Sequence, residues 1–271
     1  MKFTFIAVNY NGFKYTKEYI MNINELVIDN DDKIEIIIVD NQSSKDDYDA
    51  LYSFCNSISN VKLIQATHNL GYFKGLNEGI IHTSKDDNTL LIIGNNDITF
   101  NQDFIKNLKN ITYDEKVLVL APNIITKEGK QQNPHVVDKV STFDKIKSRI
   151  YFSNYYIGQI LRLLYRSIKL FKRKSVTTNN NYRQMVIRRG IGACYILTPL
   201  FFNFFDTLDD RVFMWGEEAL LSNQLESVGG LTLYDPTIII THHESASVKS
   251  IQSKKKYQMV RESYKIYWRY L

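Results

Sequence analysis

The sequence predicts an α/β fold with a mixed, mostly parallel sheet flanked by helices, and three observations carry that reading. Short apolar runs alternate with amphipathic stretches through the first hundred residues, the pattern of strands joined by crossover helices. Each apolar run ends in a polar or glycine turn, which would gather the turns at one sheet edge. The 271 residues are 44% hydrophobic and 23% charged, with four prolines and twelve glycines, a globular composition with little room for linkers.

Taken in order, residues 3–8 read as a strand ending at Asn9-Tyr10-Asn11-Gly12, and residues 15–27 as a helix. A second strand, 34–39, runs into Asp40-Asn41-Gln42-Ser43 and is followed by a helix over 48–57. A third, 61–65, leads to His68-Asn69-Leu70-Gly71 and a helix over 76–83. The fourth, 89–93, ends in Asn95-Asn96-Asp97, and residues 117–122 form a further strand.

After these the pattern breaks: residues 127–147 are polar, and 150–171 are rich in Ile, Leu, Tyr and Phe with Arg162, Arg166 and Lys169 interspersed, followed by Lys172-Arg173-Lys174. This predicts an amphipathic helical insertion with a basic end, either packed on the core with a cationic face outward or lying on a membrane surface. Residues 175–185 read as a Ser/Thr/Asn-rich loop. Structure resumes at 190–197, with a helix over 219–227, a turn at Gly229-Gly230, and strands over 231–234 and 238–240 before His242-His243. The aromatic and basic ending, 264–271, has no natural stop signal and reads as cut short.

Charge is unevenly placed. Residues 1–130 carry 13 lysines against 18 acidic groups, whereas 131–271 carry 21 basic groups against 11 acidic ones and hold every arginine. Such a basic half faces an anionic partner; a membrane or phosphorylated substrate fits better than nucleic acid, since no nucleic-acid module accompanies the charge. Cys55 and Cys194 stand apart without a Cys-x-x-Cys pair, which argues against a zinc ribbon or disulfide framework and for a reducing compartment. The apolar run before Asn9 is too short for a signal peptide, and no segment reaches the ~20 apolar residues of a spanning helix.

Several turns carry chemistry. Asp97 puts a hard oxygen ligand at a strand's carboxyl end, though Asn95-Asn96-Asp97 also suits a plain polar turn. Asp40, acceptor-only when ionised, would either meet a ligand's N–H or cap the next helix. The run Asn69-Leu70-Gly71-Tyr72-Phe73-Lys74-Gly75-Leu76-Asn77-Glu78-Gly79 would let backbone approach a ligand or pack a helix tightly. Met214-Trp215-Gly216-Glu217-Glu218 offers paired carboxylates or a favourable helix start. Thr241-His242-His243-Glu244-Ser245-Ala246-Ser247 places imidazoles at a strand end, as ligands or as structural groups.

In this order the motifs resemble the family 2 glycosyltransferases of GT-A (Rossmann-like) fold, particularly the bacterial rhamnosyltransferase-like branch, over nearly the whole chain except roughly residues 127–185. The resemblance implies a division into a nucleotide-sugar-binding half (1–126), the helical basic insertion (127–185), an acceptor and catalytic half (186–250) and a C-terminal basic aromatic helix (251–271). It further implies that Asn9, Tyr10 and Asn11 flank the nucleotide base while Asp40 accepts from a pyrimidine imide. Asn69, Gly71, Lys74, Asn77 and Asn96 would line the donor site. Asp97 would hold a divalent metal, Mn or Mg, with His242 favoured over His243 to complete the site. Glu218, beside Glu217, would be the general base of inverting transfer.

Three positions depart from the family pattern: Asn95 replaces the first aspartate of Asp-x-Asp, Leu76 stands where relatives carry Asn or Arg, and Leu220 replaces an aspartate. The implied activity is inverting, non-processive transfer from a UDP- or dTDP-sugar, dTDP-rhamnose included, to a saccharide or lipid-diphosphate-linked acceptor in bacterial surface polysaccharide synthesis. Gln224-Leu225-Glu226-Ser227-Val228 lacks the Gln-x-x-Arg-Trp signature of processive synthases. The expected location is the cytoplasm, peripheral on the inner face of an anionic cell membrane. Alternatives are a sugar nucleotidyltransferase, which would open on a glycine-rich triphosphate loop; a NAD-dependent oxidoreductase, for which Gly-x-Gly-x-x-Gly is missing; and a degenerate GT-A nucleotide-binding or scaffold protein.

Overall fold

The computed structural model describes residues 1–171, 183–244 and 253–271. Lys172-Arg173-Lys174, most of the 175–185 loop and Ser245-Ala246-Ser247 lie outside the described residues. Strands β1 (Lys2–Asn9), β2 (Lys33–Asp40), β3 (Val61–Gln65) and β4 (Thr89–Asn95) are joined by helices α1 (Phe13–Asn24), α2 (Lys45–Cys55) and α3 (Tyr72–Ile80). All four strands are parallel, in the spatial order β3-β2-β1-β4. Runs such as Ile36-Ile37-Ile38-Val39 are buried on both faces, as a sheet covered by helices on each side requires.

The sheet continues through β5 (Ile98–Phe100), β6 (Val117–Thr126), β7 (Met185–Ile187), β8 (Cys194–Leu197) and β9 (Leu231–His242). Its order beyond β4 is β8-β6-β9-β5, with β7 beside β9, and β8 runs antiparallel to both neighbours. The sheet is therefore mixed but mostly parallel. Strands predicted separately at 231–234 and 238–240 are one strand, β9, whose register against β6 shifts between Pro122 and Asn123. Pro236 lacks an N–H for the ladder, and Asp235 Oδ1 takes the Thr237 N–H at 2.8 Å, so a bulge absorbs the interruption.

One core lies between the sheet and α1, α2 and α4 (Phe104–Lys109), packing Phe3, Phe5, Tyr19, Ile20, Phe100 and Phe104. Another, on the opposite face, packs Phe73, Leu76 and Ile80 of α3 with Leu221 and Leu225 of α7 (Glu217–Glu226). Burying each such side chain stabilises the fold by about 1.5–3 kcal/mol.

The apolar stretch 150–171 of the expected helical insertion holds α6 (Tyr155–Phe171), and a second helix, α5 (Thr142–Tyr151), begins in the stretch read only as polar. Asn154 breaks the run because its Oδ1 accepts the Tyr156 N–H at 2.8 Å, an N-terminal capping bond. The break packs on α8 (Ser253–Tyr267): Arg261 donates to the carbonyls of Phe152 and Ser153 at 2.8 and 2.9 Å, and Phe152 stacks on Tyr264. No helix among the described residues is long and apolar enough to cross a membrane.

Candidate active site

Register places three turns together. Asn9 pairs with Asp40 across β1 and β2, and Val8 pairs with Asn95 across β1 and β4, so the turns after these strands meet at one sheet edge. Asn9 is fully buried and acts as a hub: its Nδ2 donates to Asp40 Oδ1 and Asp47 Oδ2 at 2.9 Å and lies 3.1 Å from Ser43 Oγ. Asn9 Oδ1 accepts from the Thr16 hydroxyl at 2.7 Å, and Asn96 Nδ2 donates to the same threonine at 2.7 Å. Asp40, also without solvent exposure, accepts the Ser43 N–H at 3.1 Å. Asn9 and Asp40 thus form the floor of the edge, while Tyr10 and Asn11 stand exposed at its rim.

A second clasp fixes the start of α3. Asn41 Nδ2 donates to Asn69 Oδ1 and the Gly71 carbonyl at 3.1 and 2.9 Å, and its Oδ1 accepts the Leu70 N–H at 2.7 Å. Gly71 sits at φ +87°, and a side chain there would strike the Phe213 carbonyl, which accepts the Tyr72 N–H at 2.9 Å. Lys74 is exposed on the same helix. Asn77 is buried and faces away, exchanging 2.9 Å hydrogen bonds with the backbone of Leu208 and donating to Asp210 at 3.1 Å. It straps the loop that leads to Phe213.

At the end of β4, Asp97 is buried with its Oδ1 3.4 Å from His242 Nε2. His242 Nδ1 lies 2.8 Å from Gln132 Oε1, and Gln132 Nε2 donates to Glu244 at 2.9 Å. The Glu244 carboxylate fixes the amide's orientation, so Gln132 presents an acceptor to Nδ1 and the imidazole carries its proton there. That leaves the Nε2 lone pair facing the Asp97 oxygen, with Asn95 Nδ2 3.3 Å away. Two lone-pair donors turned toward each other, one hard oxygen and one imidazole nitrogen, fit a divalent cation such as Mn or Mg. Among the described residues no cluster of three His, Cys, Asp or Glu groups forms, so a metal held by Asp97 and His242 would complete its coordination with water and ligand oxygens. His243 is engaged elsewhere, with Nε2 3.1 Å from Thr99 Oγ1.

The paired carboxylates open α7. Trp215 at φ +67° and Gly216 at φ +101° form a tight left-handed turn, and the Tyr267 ring fills the space a Gly216 side chain would need. Glu217 is buried and accepts the Trp215 N–H at 2.9 Å. Burial, and then the neighbouring Glu218, push its pKa up to about 8, so it holds its proton at neutral pH. Glu218 is half-buried and accepts the Gly192 N–H at 3.1 Å. Tyr72 joins the two ends of the site: its hydroxyl donates to the Gly192 carbonyl at 2.6 Å. Burial foremost, with the fields of Cys194, Glu217, Glu218 and Asp97, holds the phenol's pKa well above its usual value.

Asp47 and Gln132 were not among the residues that the sequence patterns singled out, and Ser43 and Tyr72 stood inside the quoted motifs without an assigned role. Gln132 lies in a polar stretch with no periodic signal; it reaches the site because the chain turns back after β6, where Gln132 N–H bonds the Ile124 carbonyl at 2.8 Å. Ser43 and Asp47 follow Asp40 closely, and only the Asn9 hub reveals their use.

The family model described as Glycosyl transferase family 2 matches residues 4–189. Among solved structures, GalNAc-T7 with UDP, GalNAc and Mn2+ is similar at a TM-score of 0.55 and 14% identity, over 90% of this chain and 44% of that one. Staphylococcus aureus TarS 1-349 in complex with UDP-GlcNAc gives a TM-score of 0.57 at 14% identity, over 93% of this chain and 62% of that one. The mannosyltransferase PcManGT from Pyrobaculum calidifontis, in complex with GDP-Man and Mn2+, gives 0.56 at 13% identity, over 97% of this chain and 69% of that one. The chain thus spans well under two thirds of the GalNAc-T7 chain. These likenesses establish the GT-A fold. No curated protein sequence matches the chain.

Proposed function

The chain belongs to glycosyl transferase family 2, and from that premise we propose that it moves a single sugar from a nucleotide diphosphate donor to a saccharide or lipid-linked acceptor, with inversion at the anomeric carbon. The observation that carries this reading is that Tyr72 bonds the Gly192 carbonyl, whose own N–H bonds Glu218, while the phenol feels the fields of Glu217, Glu218 and Asp97. A metal-holding end and a proton-accepting end thereby share one site.

In this reading Asn9 and Asp40 shape the donor floor, Tyr10 and Asn11 flank the base, and exposed Lys74 meets a phosphate as a point charge. Asn69, Gly71 and Asn77 hold the backbone of the donor wall, and Asn96 ties it to α1 through Thr16. A metal at Asp97 and His242 would supply positive charge for a departing diphosphate. Glu218 takes the proton of the attacking acceptor hydroxyl. Glu217, buried, protonated and bonded to the Trp215 backbone, is unsuited to attack as a nucleophile, which supports one displacement over a two-step retaining route. The motif resemblance favours a UDP- or dTDP-sugar, dTDP-rhamnose among them, and a role in bacterial surface polysaccharide synthesis.

A lipid-linked acceptor at the inner membrane face is supported by the two helices of the insertion. On α5, Phe143, Ile146 and Ile150 are exposed, and on α6 so are Tyr156, Ile157, Ile160 and Leu164, while Gly158 turns inward against Tyr257. The apolar face of α6 therefore points outward, and the helix carries no acidic residue, as suits an interfacial helix on anionic lipid.

Incubation with UDP-, dTDP- and GDP-sugars, Mn and a panel of saccharide and polyprenyl-diphosphate acceptors tests the reading. It predicts release of a nucleoside diphosphate and a product of inverted anomeric configuration by NMR. Retention of configuration would overturn the assigned mechanism.

A further inference from the structure

Arg189 is a buried cation whose setting the proposed chemistry leaves unexplained. It is 9% exposed, and its Nε is sealed from solvent without a hydrogen-bond partner. Among the described residues no carbonyl or carboxylate takes a hydrogen bond from its guanidinium. The adjacent Arg188 also buries an unpaired Nε and Nη1, but its Nη2 pairs with Glu226 at 3.1 Å and reaches the Tyr270 carbonyl at 3.3 Å.

The backbone at Arg189 is firmly held. Its N–H donates to the Val136 carbonyl at 3.0 Å and its carbonyl accepts the Val136 N–H at 3.0 Å, while the following Gly190 carbonyl accepts from Tyr195 at 2.7 Å. Three residues on, Gly192 donates to Glu218. The guanidinium lies within the fields of Glu218, Tyr195 and Tyr267, and Tyr267 packs over the Gly216 turn that opens α7. Arg189 thus lies in the field of the carboxylate assigned to the acceptor's hydroxyl, three residues from the Gly192 that binds it, whereas the donor's phosphates would lie with Asp97, His242 and Lys74.

A guanidinium largely withdrawn from water with its Nε unpaired is costly, and an anion with oxygens for its planar fork is the natural complement. We propose that Arg189 forms an anion subsite on the acceptor side of the cleft, so that the acceptor carries a phosphate or carboxylate close to the hydroxyl that is glycosylated. The acceptor assignment rests on the transferase reading; the anion site itself does not.

The test uses the full chain with Trp268→Phe, which leaves Trp215, next to the Gly216 turn, as the only indole of the two in the sequence. Inorganic phosphate and glucuronate are titrated separately, with emission followed. The expected result is a saturable change with at least one of them, weakened about tenfold or more by Arg189→Gln and partly restored by Arg189→Lys, a point charge without the fork. No change with either anion, or an undiminished change in Arg189→Gln, overturns the proposal. The melting temperature supplies a second readout. Removing an unpaired buried charge should leave it unchanged or raise it, whereas a fall of several degrees would mark Arg189 as a structural partner of Glu218 and count against the subsite. Anion binding without turnover of any nucleotide sugar would sink the transferase reading alone, and turnover without anion binding would sink the subsite alone.

Discussion

The wall assigned to the donor and the wall assigned to the acceptor in the proposed site are built on opposite terms. Around β1, β2 and α3, polar side chains are tied to one another: Asn9, Asp40, Asn41 and Asn77 each have their oxygens and nitrogens bonded within the protein. Around α7 the chain instead keeps a left-handed Trp215-Gly216 turn, a carboxyl group raised to about 8 and a guanidinium whose buried Nε finds no partner among the described residues. The first arrangement fixes a shape before a ligand arrives. The second holds reactive or unsatisfied groups at a cost in stability, as functional sites commonly do.

That contrast is most sharply probed at Glu218. Glu218→Gln is expected to lower kcat by about 10²–10⁴-fold, the usual worth of a general base, while nucleotide affinity changes by no more than a few fold. A near-normal rate in this variant would remove the reactive character assigned to the acceptor wall. Gln132→Leu comes next: without the acceptor that fixes the His242 tautomer, Mn affinity measured by EPR should weaken about 10–100-fold, with the fold intact by circular dichroism. Unchanged affinity would show that His242 is positioned by other groups.

On the donor wall the expected effects are on stability. Asn77→Ala leaves the Leu208 N–H and carbonyl without their partner, and urea unfolding should report a loss of about 1–3 kcal/mol. At Glu217 the effect is read through pH rather than through a lost contact. Its folded pKa lies above the ordinary carboxylate value, so the folded state binds the proton more tightly than the unfolded chain. Stability should therefore fall as pH rises from about 4.3 toward about 8, and Glu217→Gln should flatten that slope in melting temperature. An unaltered slope would place the titrating group elsewhere.

The same division separates what the sequence disclosed from what it did not. The alternation over the first hundred residues exposed the parallel strands because period and burial coincide there, down to turns at Asp40 and Asp97. Short β5 and α4 escaped, since three- and six-residue elements offer too little periodicity. The split at Asn154 was hidden because its cap is a side-chain bond inside an otherwise apolar run. Gln132 and Arg189 were invisible for a related reason. Gln132 matters through His242, 110 residues on, and Arg189 through a hydrogen bond it lacks, and no local pattern encodes either. Motifs of adjacent residues, such as Glu217-Glu218, were legible as candidates, but their unequal burial was not.

The central claim is that the edge holding Asp97 and His242 binds a nucleotide diphosphate through a divalent metal. Thermal unfolding with UDP-, dTDP- and GDP-sugars, each with and without Mn and in parallel with Asp97→Asn, tests it most directly, because a ligand that binds the native state stabilises it by RT ln(1 + [L]/Kd) and so raises the melting temperature. The account predicts a rise for one nucleotide that requires Mn and disappears in Asp97→Asn; no rise with any nucleotide, or one indifferent to both Mn and Asp97, would contradict it.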